Sequence, residues 1–146
     1  MKKLVAVGLV TGLTLLQAGA EELKWLTDLP KAQAQAKAEK KLVMLDFTGS
    51  DWCGWCIKLN KEVFSQPEFV DYAKKNLVLV EVDFPRKKEQ SAELKKANQD
   101  LQKKYQIEGY PTIIVLDGEG KKLGVLGYEP GPKLFIDKLD KLRKQT

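Results

Sequence analysis

At 146 residues, 43% hydrophobic and 31% charged, the chain has the size and composition of one globular domain, which excludes a disordered tail and a multi-span membrane protein. Its formal net charge is +5, from 25 Lys and Arg against 20 Asp and Glu, with two cysteines and no histidine. Without an imidazole, Ser-His-Asp and Cys-His nucleophiles and histidine-rich zinc sites are excluded, and one cysteine pair is too few for a disulfide framework. Chemistry must run on carboxylates, lysines or the two thiols.

Met1-Lys2-Lys3 is a short basic start, and residues 4–16 form a nearly unbroken apolar run. That run is shorter than the roughly twenty residues a helix needs to cross a bilayer. Ala18-Gly19-Ala20 then offers small residues at the spacing a signal peptidase reads, followed by Glu21-Glu22. Residues 1–20 therefore read as a signal peptide and residues 21–146 as the mature domain; an uncleaved anchor is the rival reading. No cysteine follows the small-residue site, so lipid attachment at a new N-terminal cysteine is not available. Removing the segment's two lysines takes the net charge from +5 to +3. So mild a charge, with lysines interleaved among acids and only Arg86 and Arg143 as arginines, does not argue for nucleic acid. Export brings the thiols into oxidising surroundings. The short signal and compact domain favour a bacterial periplasm over a eukaryotic secretory route.

Within residues 21–29 there is room for a short strand, and Pro30 is placed to open a helix over residues 31–40, rich in Ala, Gln, Lys and Glu. Residues 42–47 (LVMLDF) are short and mostly apolar, as a strand buried on both faces should be. Thr48-Gly49-Ser50-Asp51 breaks that strand and supplies caps for a helix running from Cys53 through Ile57, Leu59 and Val63 to Phe64. Pro67 opens a further helical piece carrying Phe69, Val70 and Tyr72, and residues 77–82 (LVLVEV) form the next buried strand. Residues 86–106 read as an amphipathic helix with Leu94, Ala97, Leu101 and Tyr105 as its stripe and lysines on a solvated face. Residues 112–116 (TIIVL) are a strand, Asp117-Gly118 a tight turn, and residues 121–127 the returning strand. Pro132 opens the last helix, with Leu134, Phe135, Leu139 and Leu142 as its apolar stripe. The pattern predicts an α/β domain with a mixed sheet flanked by helices.

The chemistry concentrates at Trp52-Cys53-Gly54-Trp55-Cys56. In a helix, residues three apart share a face, so two thiols at this spacing can reach each other. The first thiol meets free backbone N–H groups at the helix start, which favour the thiolate and bring its pKa below the free value of about 8.5. Cys53 is thus the attacking thiolate, and Cys56 the thiol that resolves a mixed disulfide. Two other readings are weaker. A zinc site would need two carboxylates as its remaining ligands, and a purely structural disulfide would close too small a loop to restrain the unfolded chain.

Asp46-Phe47 at a strand end, the Trp-Cys-Gly-Trp-Cys run opening a helix, and Gly109-Tyr110-Pro111-Thr112 before a strand together resemble the thioredoxin family over nearly all of residues 30–145. The long spacer after Asp83 and the Trp-Cys-x-x-Cys motif resemble its exported bacterial branch. The resemblance implies a thioredoxin fold, a cis bond before Pro111, which would lie beside the thiols, and substrate contacts at Tyr110, Pro111, Trp52 and Trp55. Trp55 has a second reading, packing on the domain. The resemblance also implies that Asp46 relays a proton to Cys56. Here seven positions separate Asp46 from Cys53, one more than in thioredoxin, and an ordinary strand-end aspartate is the alternative. Lys58 has two readings as well, lowering the thiol pKa or lying in solvent.

Exchange at the cysteine pair needs no bound cofactor, since the electrons sit on the sulfurs, and no metal is expected. Implied partners are disulfide-containing exported proteins and a redox protein that resets the pair, such as a membrane thiol carrier, with the chain a monomer. No histidine stands beside Cys53, which points to reduction or isomerisation over primary oxidation. A thioredoxin-fold binding module with an idle disulfide is the alternative, and a peroxide reductase passing through a sulfenic acid at Cys53 is a third class.

Overall fold

The computed structural model describes residues 22–146; the predicted signal segment, residues 1–20, lies outside them. Strands β1 (Trp25–Leu26), β2 (Leu42–Thr48), β3 (Leu77–Asp83), β4 (Thr112–Leu116) and β5 (Lys122–Leu126) form one sheet in the order β1-β3-β2-β4-β5. β1, β3 and β2 run parallel, and β4 and β5 are antiparallel additions. Helices α1 (Leu29–Glu39), α2 (Gly54–Leu59), α3 (Pro67–Asn76), α4 (Ala92–Lys104) and α5 (Pro132–Arg143) cover both faces. This is the predicted mixed α/β sheet.

Alternation along the strands sorts the core. Leu42, Met44, Leu77, Leu79, Ile113 and Val115 face one way and pack under Leu59 of α2, Phe69 of α3 and Phe135 and Leu139 of α5. Val43, Leu45, Phe47, Val78, Val80 and Ile114 face the other way, toward Ala32 and Ala36 of α1 and Leu101 and Tyr105 of α4. A strand covered on both faces has no polar side to display, so β2 is buried from end to end.

Local chemistry sets the helix starts. Asp28 caps α1 by accepting from Lys31 N at 2.9 Å, with Pro30 in the first turn, and Ser91 caps α4 by accepting from Leu94 N at 3.1 Å.

Several boundaries differ from the sequence reading. The helix predicted over residues 86–106 begins only at Ala92, and residues 84–91 form an irregular strap. In the predicted stripe of α4, Ala97 is exposed and the buried residue is Asn98, whose Nδ2 donates to the Asp83 carbonyl at 3.0 Å. That carbonyl also accepts from Gln90 Nε2 at 3.1 Å, so the end of β3 is tied to both the strap and α4. The helix from Cys53 to Phe64 loosens into a π-turn at Asn60–Phe64. The turn after β4 spans residues 117–121 rather than two residues: the Asp117 carboxylate accepts from Glu119 N and Lys121 N, both at 2.9 Å, and Gly120 takes φ 86°. On α5, Leu134 is exposed while Phe135 and Leu139 are buried.

Candidate active site

The central strand β2 delivers its chain at its C-terminal end into the loop 49–52, and Cys53 follows as the N-cap of α2. Cys53 is extended at φ −82°, ψ 105°, and its Sγ accepts from the Cys56 backbone N–H at 3.2 Å. One of the unpaired amides of the helix start therefore points at the first sulfur, the arrangement that favours a thiolate once the pair is reduced. Cys53 and Cys56 are joined in a disulfide, with Cα atoms 5.2 Å apart. Both are largely buried, at 7% and 5% exposure.

Two tryptophan walls flank the pair. Trp52 is half-buried. Its indole N–H donates to the Phe84 carbonyl at 2.7 Å, and a Cβ on Gly49 would overlap its ring, so only glycine fits there. The Arg86 guanidinium lies 3.8 Å from the Trp52 ring centroid, a cation–π contact. Tyr110 meets Trp52 edge-on at 5.9 Å and Phe84 at 5.3 Å. The Asp51 carboxylate draws the strap onto this stack, accepting from the backbone N–H groups of Arg86, Lys87 and Lys88 at 2.9, 2.8 and 2.9 Å. Those donors hold the Asp51 carboxyl down at about 2.

Trp55, by contrast, is 58% exposed and leans on Tyr128 with ring centroids 5.0 Å apart. Lys58 Nζ lies over both rings, 5.0 Å from Trp55 and 5.3 Å from Tyr128, and 3.9 Å from the Glu62 carboxylate. The Tyr128 hydroxyl donates to Glu62. Lys58 therefore rests against aromatic rings and an acid rather than reaching freely into solvent.

Asp46 is buried, and its Oδ1 has no hydrogen-bond partner. Strand alternation puts it on the same face as Leu42 and Met44, the face that Leu59 of α2 covers. The extra loop residue therefore does not turn this carboxyl away from the helix carrying Cys56. Burial first, then the charges of Glu81, its register partner on β3, and Asp83, push the Asp46 carboxyl up to about 8. Among the described residues no cluster of His, Cys, Asp and Glu is arranged to hold a metal ion.

The Tyr110-Pro111 peptide bond is cis, as the resemblance implied. Tyr110 packs against Trp52 and Phe84, whereas Trp55 pairs with Tyr128. A groove of about 770 Å³ between α1 and α4, with Leu29, Gln33, Leu94 and Tyr105 among its lining, includes no residue of the active-site loop.

The comparisons with known proteins agree with this geometry. The model of a thioredoxin-like domain matches residues 29–143. The chain belongs to the thioredoxin-like family. Its cysteine pair makes it a thiol–disulfide oxidoreductase of that family. It is 41% identical over 112 residues to the disulfide bond reductase DsbH of Chlamydia pneumoniae, covering 77% of this chain and 67% of that protein. It is 36% identical over 97 residues to the thiol:disulfide interchange protein DsbD of Klebsiella pneumoniae, covering 66% of this chain but only 14% of the relative. A solved structure of a DsbH oxidoreductase superposes with a TM-score of 0.80 at 36% identity over 96% of both chains.

Sequence reasoning missed Asp51, Phe84, Arg86, Tyr128 and Glu62 as parts of the walls. The only hint for the first three was the strap's unusual composition (Phe84-Pro85-Arg86-Lys87-Lys88), which a helical reading of residues 86–106 concealed. For Tyr128 and Glu62 there was no local signal, because they meet across 66 positions.

Proposed function

We propose that the chain is exported by a signal peptide, residues 1–20, which is then cleaved, and acts in the bacterial periplasm, reducing or isomerising disulfides in exported proteins. The Cys56 N–H aimed at Cys53 Sγ across the capped start of α2 carries the exchange chemistry of this reading, and the absence of a histidine beside Cys53 supports its direction. The Cys53 thiolate attacks one sulfur of the partner disulfide, forming a mixed disulfide and releasing a partner thiolate, which takes up a proton. Cys56 then loses its proton to Asp46 and attacks Cys53 Sγ. This releases the second partner sulfur as a thiolate, which takes a proton from solvent, and leaves the chain oxidised, with two electrons passed to the partner. Asp46, buried with a free Oδ1, is suited to accept that proton once it has lost its own. Trp55, Tyr110 and Pro111 form the contact surface for the partner, and Trp52 supports it from behind.

Reduction in an oxidising compartment requires a donor dithiol, and a membrane thiol carrier fits that need. Similarity to DsbH and DsbD supports the direction of electron flow. No described helix is long and apolar enough to cross a membrane, and the domain acts as a monomer in this reading. The mechanism calls for no cofactor, because the electrons reside on the sulfurs.

The deciding experiment is the equilibrium reduction potential of Cys53–Cys56 in a thiol/disulfide buffer, together with reduction of a protein disulfide by the wild type and Cys53→Ser. A potential near about −270 mV with turnover lost in Cys53→Ser supports a reductase, whereas about −120 mV makes the chain an oxidant. If no reversible transition appears and client binding survives Cys53→Ser, the chain is a binding module.

A further inference from the structure

Most polar groups of the strap are engaged in holding it. The Asp51 carboxylate is surrounded by three backbone N–H groups, and Lys88 Nζ turns inward to the buried Asp83 carboxylate at 3.2 Å. Arg86 differs. Its guanidinium lies against the Trp52 ring and makes no ion pair or side-chain hydrogen bond among the described residues. Stacking occupies the flat face of a guanidinium and leaves its N–H donors, which lie in the plane, available. The ring beneath it belongs to the residue directly before Cys53.

The opposite wall carries a cation in a different condition. Lys58 shares its charge with Glu62 at 3.9 Å, and Glu62 also accepts from Tyr128, so that wall is balanced. On the Trp52 wall Asp51 is occupied by the three strap amides and Asp83 by Ser50 and Lys88, and no acid pairs with Arg86 among the described residues. Lys87 beside Arg86 also has no acid partner among the described residues, but it does not rest on a ring. A cation held in place by stacking loses less freedom on binding than a free side chain, and the guanidinium fork matches a carboxylate with two parallel hydrogen bonds.

Resting on the exchange reading above, we propose that Arg86 is a specificity-determining residue that binds an acidic side chain of the disulfide partner, so that the site prefers cysteines flanked by Asp or Glu. The partner's Asp or Glu meets the Arg86 fork while its sulfur meets Cys53.

The test uses the reduced protein and short disulfide peptides identical except for Glu, Gln or Lys beside the cysteine. Their reduction rates are followed by tryptophan fluorescence and compared as ratios, so that any change in Cys53 reactivity cancels. The Glu peptide is expected to react about fivefold faster than the Gln peptide at low salt, and the Lys peptide slowest. High salt should shrink the ratio. Arg86→Gln should bring the ratio to one, Arg86→Lys should keep only part of it, and Lys87→Gln should keep most of it. Equal rates for the three peptides, or a preference that survives Arg86→Gln, overturn the assignment while leaving the exchange reading intact. Failure to reduce any peptide overturns both.

Discussion

Trp52 and Trp55 stand three positions apart on either side of the first cysteine, yet the fold treats them differently. Trp52 is held by a hydrogen bond to Phe84, by Gly49 below and by Arg86 above. Trp55 touches Tyr128 and Lys58 and leaves more than half of its surface in water. One tryptophan shapes the loop that presents Cys53; the other stands in water, the surface assigned to a partner in the proposal above. Residue type and position in the motif do not separate these roles. What separates them is which distant segment arrives: the strap on one side, the loop after β5 on the other.

The largest expected effect belongs to neither wall and would show that both are independent of the floor beneath α2. Asp46 titrates in the unfolded chain near the ordinary carboxyl value, but in the fold only near 8. The native state therefore binds the extra proton between those values, and stability falls as pH rises from about 4 to about 8. Asp46→Asn should be more stable than the wild type by about 3–5 kcal/mol at pH 9, with the gain vanishing near pH 4. Denaturant melts across that range check this, and the tryptophan spectra should stay unchanged.

Breaking the tied wall comes next. Trp52→Ala removes a packed ring and strands the Phe84 carbonyl, and should cost about 2–4 kcal/mol in denaturant unfolding, with activity falling as the loop loosens. A milder break is Asp51→Ala, which frees the three strap amides. Hydrogen exchange should lose protection at Arg86, Lys87 and Lys88 while the sheet stays protected. In the wild type the same loss should occur only as pH falls from about 4 toward 2, because the Asp51 carboxylate is held low.

The open wall should show the smallest effect on the fold and a distinct one on function. Trp55→Ala should change stability by less than about 1 kcal/mol. It should raise KM for a protein disulfide several-fold while leaving reduction of a small disulfide reagent nearly unchanged. Equal losses from Trp52→Ala and Trp55→Ala in both stability and KM would erase the distinction between the walls.

Much of the site was legible because its signals are local. Cys53 and Cys56 lie one helical turn apart, and capping places the first at the helix start, so spacing alone determined that the thiols meet. Strands β2, β3 and β4 were legible because strands buried on both faces read as short apolar runs. The resemblance added the cis bond at Pro111, which no local pattern distinguishes from an ordinary turn proline. The strap was misread because the charge pattern of residues 86–91 suits a helix surface. The actual constraint, an aspartate 35 positions earlier drawing three amides around itself, is not written nearby.

The sequence by itself determined the chemistry available, two thiols without an imidazole, and the mixed sheet that presents them. Only the tertiary structure decided which tryptophan is a support and which a surface, which lysine is paired, and that Asp46 faces the helix carrying Cys56. The physical reason is range. Helix caps, thiol spacing and strand burial depend on neighbours a few residues away, whereas the state of an aromatic ring, a cation or a buried carboxyl depends on the segments that the fold brings against it.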